Sequence, residues 1–437
     1  MKQSEFKRRR TQLMKMMGKN SIAILPSSSQ VARSRDVDFP FRQDSDFLYL
    51  TGFNEPDAVV VLAPGRKHGE YILFCRERDA EQEIWHGRRA GQEGAVAIYG
   101  ADDSFPIDDI DDILPGLLEG RERIYNVMGR SPEFDQRLIG WVNHIKAQSR
   151  NGKQAPSEFL ALDHILHDMR LFKSKAELKL MRQAAAINIV AHKRAMRLCA
   201  PGRYEYQVQA EFDHEFSRNN AQHAYPAIVG GGANSCILHY TENSGVLNDG
   251  DLLLIDAGCE VQGYASDISR TFPVNGKYSA AQREIYDIVL AAQTAAIKKI
   301  KPGNHWNDPH DAAVKVITRG LIDIKILKGS LAKLIKEQAY RRFYMHRTGH
   351  WLGLDVHDVG DYKIGDQWRL LEPGMVLTVE PGIYIPAHSK SVHRKWWNIG
   401  IRIEDDVLVT GSGCEVLTGA LPRRADEIEA VMAGIEQ

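Results

Sequence analysis

Along the chain, apolar and polar positions keep two different rhythms. Between residues 20 and 150, short apolar runs bounded by Gly, Pro or polar residues recur at 21–25, 58–63, 71–75 and 123–127. Each predicts a strand, because a brief apolar run between turn residues suits a pleated, buried segment. Residues 107–118 carry apolar positions at helical spacing, and the acids Asp108, Asp109, Asp111 and Asp112 suit the positive end of a helix dipole. Turns at Asn54-Glu55-Pro56 and Pro64-Gly65 separate these elements. The pattern is that of a small α/β domain.

The rhythm changes at Ser174. With Glu177 three positions on, this serine forms a capping box that opens a long helix, whose apolar side includes Leu178, Met181, Ala185 and Val190. Ser279 and Gln282 form a second box, opening a helix expected to run to about Lys301, before Pro302-Gly303. Between the two helices lies a block of glycines and short strands. Its Gly230-Gly231-Gly232 run lacks the Lys-Ser or Lys-Thr of a phosphate loop and reads as a mobile turn before a strand carrying His239. Two domains are predicted, an α/β N-terminal domain over residues 1–172 and an α+β domain over residues 173–437.

Composition narrows the function classes. The 57 Asp and Glu against 56 Lys and Arg leave a formal charge of -1, which argues against a dedicated nucleic-acid or anionic-membrane binder. No stretch approaches the roughly 18 apolar residues of a membrane span. The 5 cysteines are scattered without metal or redox spacing, which predicts a reducing, cytoplasmic setting. The basic N-terminus contains Glu5 and no serine-rich tract, so it reads as an opening helix rather than a transit peptide. Trp351 and Trp368 read as packing residues.

The chemistry lies in acids that end or interrupt apolar runs. Asp256 follows Leu252 to Ile255, and Asp267 belongs to a second strand-like run. A hairpin centred between Val261 and Gln262 would set them opposite each other with Cβ atoms ~5 Å apart. Two carboxylates so close repel unless a proton or cation lies between them, and a buried carboxylate is costly unless paired or metal-bound. Glu380 ends the apolar run from Met375 to Val379, Glu404 interrupts the run from Ile399 to Leu408, and His350 stands in GHWLG. Four carboxylates and one imidazole suit Mn²⁺, Fe²⁺, Co²⁺ or Zn²⁺, and four negative charges call for about two such ions.

In order and context, LIDAG (Asp256), SDISRTF (Asp267), GHWLG (His350), TVEPG (Glu380) and IRIEDD (Glu404) resemble the pita-bread metallopeptidases, in particular the bacterial-type Xaa-Pro aminopeptidases, or aminopeptidases P. ILHYTEN around His239, LDVHDVG around His357 and FRQDSDFLYLTGF over residues 41–53 extend the resemblance across nearly the whole chain. It implies a pita-bread (creatinase/aminopeptidase-like) catalytic domain that releases the N-terminal residue from peptides with proline in second position. Asp256 would bind one metal, Asp267 and Glu404 would bridge two, and His350 with Glu380 would serve the other, manganese being the usual ion. A hydroxide between the metals would attack the scissile carbonyl, with Glu380 as proton shuttle. His239 and His357 would hold the substrate and stabilise the oxyanion, and His346 is a further substrate-contacting candidate.

Arg402, two residues before Glu404 and on the same strand face, is expected to pair with a ligand carboxylate or with an N-terminal acid such as Asp36. The family's proline slot lies near its second histidine, and Trp85 in EIWHGRR resembles an aromatic residue lent by a neighbouring subunit of a homotetramer or homodimer. The rival readings are a prolidase confined to dipeptides and a non-catalytic pita-bread module that binds peptides. Creatinase, which lacks the metal, is disfavoured by the full ligand set, and methionine aminopeptidase by the large N-terminal domain.

Overall fold

The apolar run Ser21–Pro26 becomes the middle of a six-stranded sheet, antiparallel to Val59–Leu62 on one side and parallel to Arg123–Asn126 on the other. Tyr71–Cys75 and Asp103–Pro106 extend one edge and Glu158–Ala161 the other. Strands covered on both faces have no need to alternate, and Val59–Leu62 and Tyr71–Cys75 are buried at every position. Ile22, Ile24, Val61 and Ile72 pack with Ile110, Leu114 and Leu118 of helix Ile110–Leu118 and with Leu138 and Trp141 of helix Pro132–Ala147. The helix expected at 107–118 starts as a 3-10 turn, Ile107–Asp109. These elements belong to a unit ending at residue 169, and a second unit begins at residue 170. The structure is a computed structural model that describes residues 1–435.

The second unit repeats one plan, a helix pair followed by antiparallel strands. Helices Lys175–Leu198 and Glu205–Arg218 pack together ahead of the sheet Ile228–Gly231, Leu252–Ala257, Ile268–Pro273. Helices Ala280–Ile297 and Asp308–Asp323 pack together ahead of the sheet Val376–Val379, Asp405–Val409, Cys414–Val416. This duplicated α+β arrangement is the pita-bread architecture. Both capping boxes form, at Ser174 with Glu177 and at Ser279 with Gln282. The second helix ends at Ile297, short of the expected Lys301. Among the described residues, no helix is long and apolar enough to cross a membrane.

Two local expectations are corrected. The hairpin turn is Gln262-Gly263, at φ +51° and +83°, because a two-residue turn matching strand twist needs positive φ at both positions and Gly263 supplies the second without strain. The register therefore moves, and Asp256 pairs with Ser269 rather than with Asp267. The glycine run is also not a turn before a strand: Gly230 and Gly231 lie within Ile228–Gly231, opposite Leu254 and Leu253. A Cβ at Gly230 would stand 2.9 Å from the Asn234 carbonyl oxygen, so glycine admits the 3-10 turn Gly232–Cys236 folded against it, and His239 follows that turn outside any strand.

Candidate metal centre

The strands of the second unit break where the acids stand. Val376–Val379 stops one residue before Glu380, Asp267 precedes Ile268–Pro273, and Glu404 lies in the gap between Ile399–Arg402 and Asp405–Val409. Asp256 alone lies inside a strand, Leu252–Ala257. Backbone pairing ends at these points, and carboxylates replace the apolar side chains that a continuous sheet would bury.

Asp267, His350 and Glu404 each offer a ligand atom within 4.8 Å of the others. His350 Nε2 lies 3.4 Å from Asp267 Oδ2 and 3.7 Å from Glu380 Oε1. The Tyr225 hydroxyl joins Asp256 to this group, at 2.7 Å from Asp256 Oδ1 and in a short contact with Asp267 Oδ1. Arg402 donates to Asp256 Oδ2 at 2.6 Å, to Ser269 Oγ at 2.8 Å and to the Tyr384 hydroxyl at 2.9 Å, and Ser269 Oγ donates to Glu404 Oε2 at 2.6 Å. All five expected ligands line one cavity of about 640 Å³, together with His239, His346, His357 and Arg402.

His346 sits 3.0 Å from the Tyr384 hydroxyl through Nε2 and 3.6 Å from Glu380 Oε2 through Nδ1. The His357 and His350 rings meet edge to face at 4.2 Å. Of the two partners expected for Arg402, it engages the ligand-type carboxylate Asp256, while Asp36 belongs to the first unit and is exposed. Trp85 lies on helix Ala80–His86 of the first unit and is 76% exposed. Trp351 packs as expected, fully buried, whereas Trp368 lines the cavity.

The electrostatics test whether a divalent cation fits. With protein groups alone, burial and mutual repulsion push Glu404 and Asp256 above the usual carboxylate range, Asp256 despite its pairing with Arg402, and push Glu380 to about 7. Burial would also raise Asp267, but hydrogen bonds from His350 and Tyr225 outweigh it and hold this carboxyl low. Burial would lower His350, yet Asp267 and Glu380 raise it to about 9, so that a proton on the ring supplies positive charge among the acids. His350 Nδ1 lies 2.9 Å from the Trp351 carbonyl oxygen, so Nδ1 donates there and Nε2 is the atom left to ligate. A hard oxygen set with one oriented imidazole fits divalent metal.

Sequence reasoning missed several members of this network. Tyr225 stands in His223-Ala224-Tyr225-Pro226 without periodicity or spacing to mark it. Arg270 and Asp405 form a pair with no exposed side-chain surface, and Arg270 also donates to the Glu404 carbonyl oxygen at 2.5 Å. Asp406 Oδ2 accepts from the Asp267 backbone N–H at 3.2 Å. These charged residues and Ser269 stood inside SDISRTF and IRIEDD, so the signal was a run of polar residues within strands.

Residues 179–411 match metallopeptidase family M24, and residues 6–125 match the aminopeptidase P N-terminal domain. The Xaa-Pro aminopeptidase of Escherichia coli (strain K12) is 46% identical over 430 residues, covering 98% of this chain and 97% of that protein. Xaa-Pro aminopeptidase 3 of Homo sapiens is 34% identical over 448 residues, covering 98% of this chain and 86% of that protein. A solved aminopeptidase structure from Pseudomonas aeruginosa aligns with a TM-score of 0.99 at 57% identity, over 100% of this chain and 99% of that one. Aminopeptidase P from Escherichia coli with the inhibitor Pro-Leu aligns with a TM-score of 0.96 at 45% identity, again over 100% and 99%.

Proposed function

We propose, for a chain that belongs to metallopeptidase family M24 and carries the aminopeptidase P N-terminal domain, that the carboxylates and imidazoles around Asp267 are its catalytic machinery. The activity is that of an Xaa-Pro aminopeptidase, a metal-dependent release of the N-terminal residue from peptides with proline second. The observation that supports the site is the meeting of two buried carboxylates, Asp267 and Glu404, two half-buried ones, Asp256 and Glu380, and His350 in one cavity.

We assign two divalent ions, manganese by preference, to this cavity, where Asp256, Asp267, His350, Glu380 and Glu404 would hold them. When bound, such ions lower the pKa of a water to about 7 and polarise the scissile carbonyl. Glu380 takes the proton that the attacking water gives up as its oxygen bonds to the carbonyl carbon. It passes that proton to the proline nitrogen as the C–N bond breaks, since the leaving secondary amine needs one. His239 and His357 hold the peptide and donate to the oxyanion, and His346, held by the Tyr384 hydroxyl, borders Glu380. Arg402 fixes Asp256. Proline has no N–H and a fixed φ, so the site must recognise ring shape instead of a backbone donor.

Five unpaired cysteines support a cytoplasmic setting. Ile84 and Trp85, 80% and 76% exposed, are apolar surface of the kind a homodimer or homotetramer covers. The test combines chelation, manganese re-addition and a peptide series on one sample. Expected are loss and recovery of cleavage of an Xaa-Pro-Yaa tripeptide, with metal content following activity. Turnover of Xaa-Pro dipeptides alone would make the protein a prolidase, and a metal-loaded protein that cleaves neither would be a binding module.

A further inference from the structure

The catalytic cavity has unlike sides. On one, Ile228 and Leu238 stand against a small core of Tyr240, Leu254 and Tyr384. On the other, next to His350, the buried Trp351 contacts Trp306 at 4.1 Å and stacks on Tyr362 with the rings 3° from parallel. Past this wall Trp368 forms a lip, with the Arg347 guanidinium 5.0 Å and the Lys363 ammonium 4.7 Å from its ring centroid. Arg347 and Trp368 line the cavity itself. Arg347 donates to the neutral Asn307 amide oxygen, and among the described residues neither cation has a carboxylate within ion-pair distance. Two cations thus flank one indole at the mouth of a peptide site with no anion to match them.

An enzyme that removes one residue holds that residue on one side of the scissile bond, and the rest of the peptide leaves by the other. A lip reaching from the ligand cluster toward solvent therefore meets the chain beyond the proline. We propose that Arg347, seated on Trp368 and supported by Lys363, determines specificity by recognising a carboxylate downstream of the proline. That carboxylate is either the C-terminus of a short peptide or an Asp or Glu side chain. The proposal rests on the cavity being the peptide site. A guanidinium stacked on an aromatic plane is pre-oriented for such a group. Its solvent exposure limits the preference to about three- to fivefold.

The test measures kcat/KM of the manganese-loaded enzyme on Ala-Pro-Ala-Ala, on its C-terminal amide, and on Ala-Pro-Glu-Ala amide, at low salt. At least one carboxylate-bearing peptide is expected to exceed the neutral amide by about three- to fivefold, through KM. The free acid alone would identify the C-terminus, and the Glu peptide alone the side chain. The ratio should fall toward one in Arg347→Gln, fall partly in Lys363→Gln and return only in part in Arg347→Lys, which restores the charge without the stacked planar fork. A parent with no preference, or an Arg347→Gln enzyme that keeps it, overturns the proposal. Calorimetric binding of Pro-Ala-Ala and its amide gives the same ratio without turnover. A protein that cleaves nothing therefore refutes the functional reading while the carboxylate preference is still measured.

Discussion

The sheets of the two units are built in opposite ways. The sheet of the first unit is packed with Ile, Val, Leu and Phe, and its edge pairs Arg66 with Asp103 and Arg123 with Glu158 keep substantial solvent contact. Such exposed pairs contribute about 0–1 kcal/mol. In and beside its strands the second unit instead buries Arg270 with Asp405, and Asp267, Glu404 and Asp406 besides, and sets the buried Arg402 against a half-buried Asp256. Each buried ion costs several kcal/mol unless matched by partners. The first sheet, with its apolar core, is what stability alone selects. The second keeps charge where apolar packing would have been the more stable choice, and that is the mark of a site.

Glu404→Gln tests the contrast where it is strongest. Without this carboxylate, kcat/KM on an Xaa-Pro-Yaa peptide should fall by at least about 10³, and bound metal should fall with it. The same change should leave the chelated protein no less stable than the chelated parent. It removes a negative charge from a group already pushed above its normal range and keeps an oxygen for Ser269 to donate to. Metal analysis, kinetics and melting in chelator check this, and a fully active Glu404→Gln protein would overturn the site assignment.

The contrast also explains what was legible in the letters. Tyr71–Cys75 shows as a strand because an unbroken apolar run is itself the burial signal. Glu380 and Glu404 are conspicuous for the opposite reason, as charges inserted where a buried run should continue. Tyr225 is invisible because its role depends on which loop folds over Asp256 and Asp267, and no local period encodes that. The hairpin register fails for a related reason. Both candidate turns fit the apolar pattern, and positive φ at Gln262 and Gly263 decides between them. Arg402 had two acids within reason, and only the folded strand selects Asp256.

Ile24→Ala attacks the other side of the comparison. Ile24 is fully buried in the sheet of the first unit. Truncation there should cost about 2–4 kcal/mol through lost transfer energy and the cavity left behind. Metal content and kcat at 25 °C should stay at parental values. Urea unfolding beside metal analysis measures both, and a drop in metal content without a loss of stability would dissolve the distinction between the units.

The smallest expected effect is a pH dependence that a purely apolar interior lacks. His192, on helix Lys175–Leu198, is fully buried with its ring edge-on to Phe212 at 4.9 Å. Burial, aided by the nearby positive charge of Arg270, pushes its pKa down to about 3, against ~6.5 in an unfolded chain. Between those values the unfolded chain binds the proton and the native one does not, so stability rises with pH across that window. The contribution of a neutral His192 is complete above ~6.5 and is lost as pH falls toward 3. His192→Gln removes the titration and leaves the neighbouring carboxylates in place in both proteins. The stability difference, parent minus variant, should be flat above pH ~6.5 and shrink by about 1.4 kcal/mol per unit below it. Urea melts from pH 7.5 down to about 5 measure that slope, and a difference independent of pH would mean that His192 meets solvent or a counter-charge in the folded state.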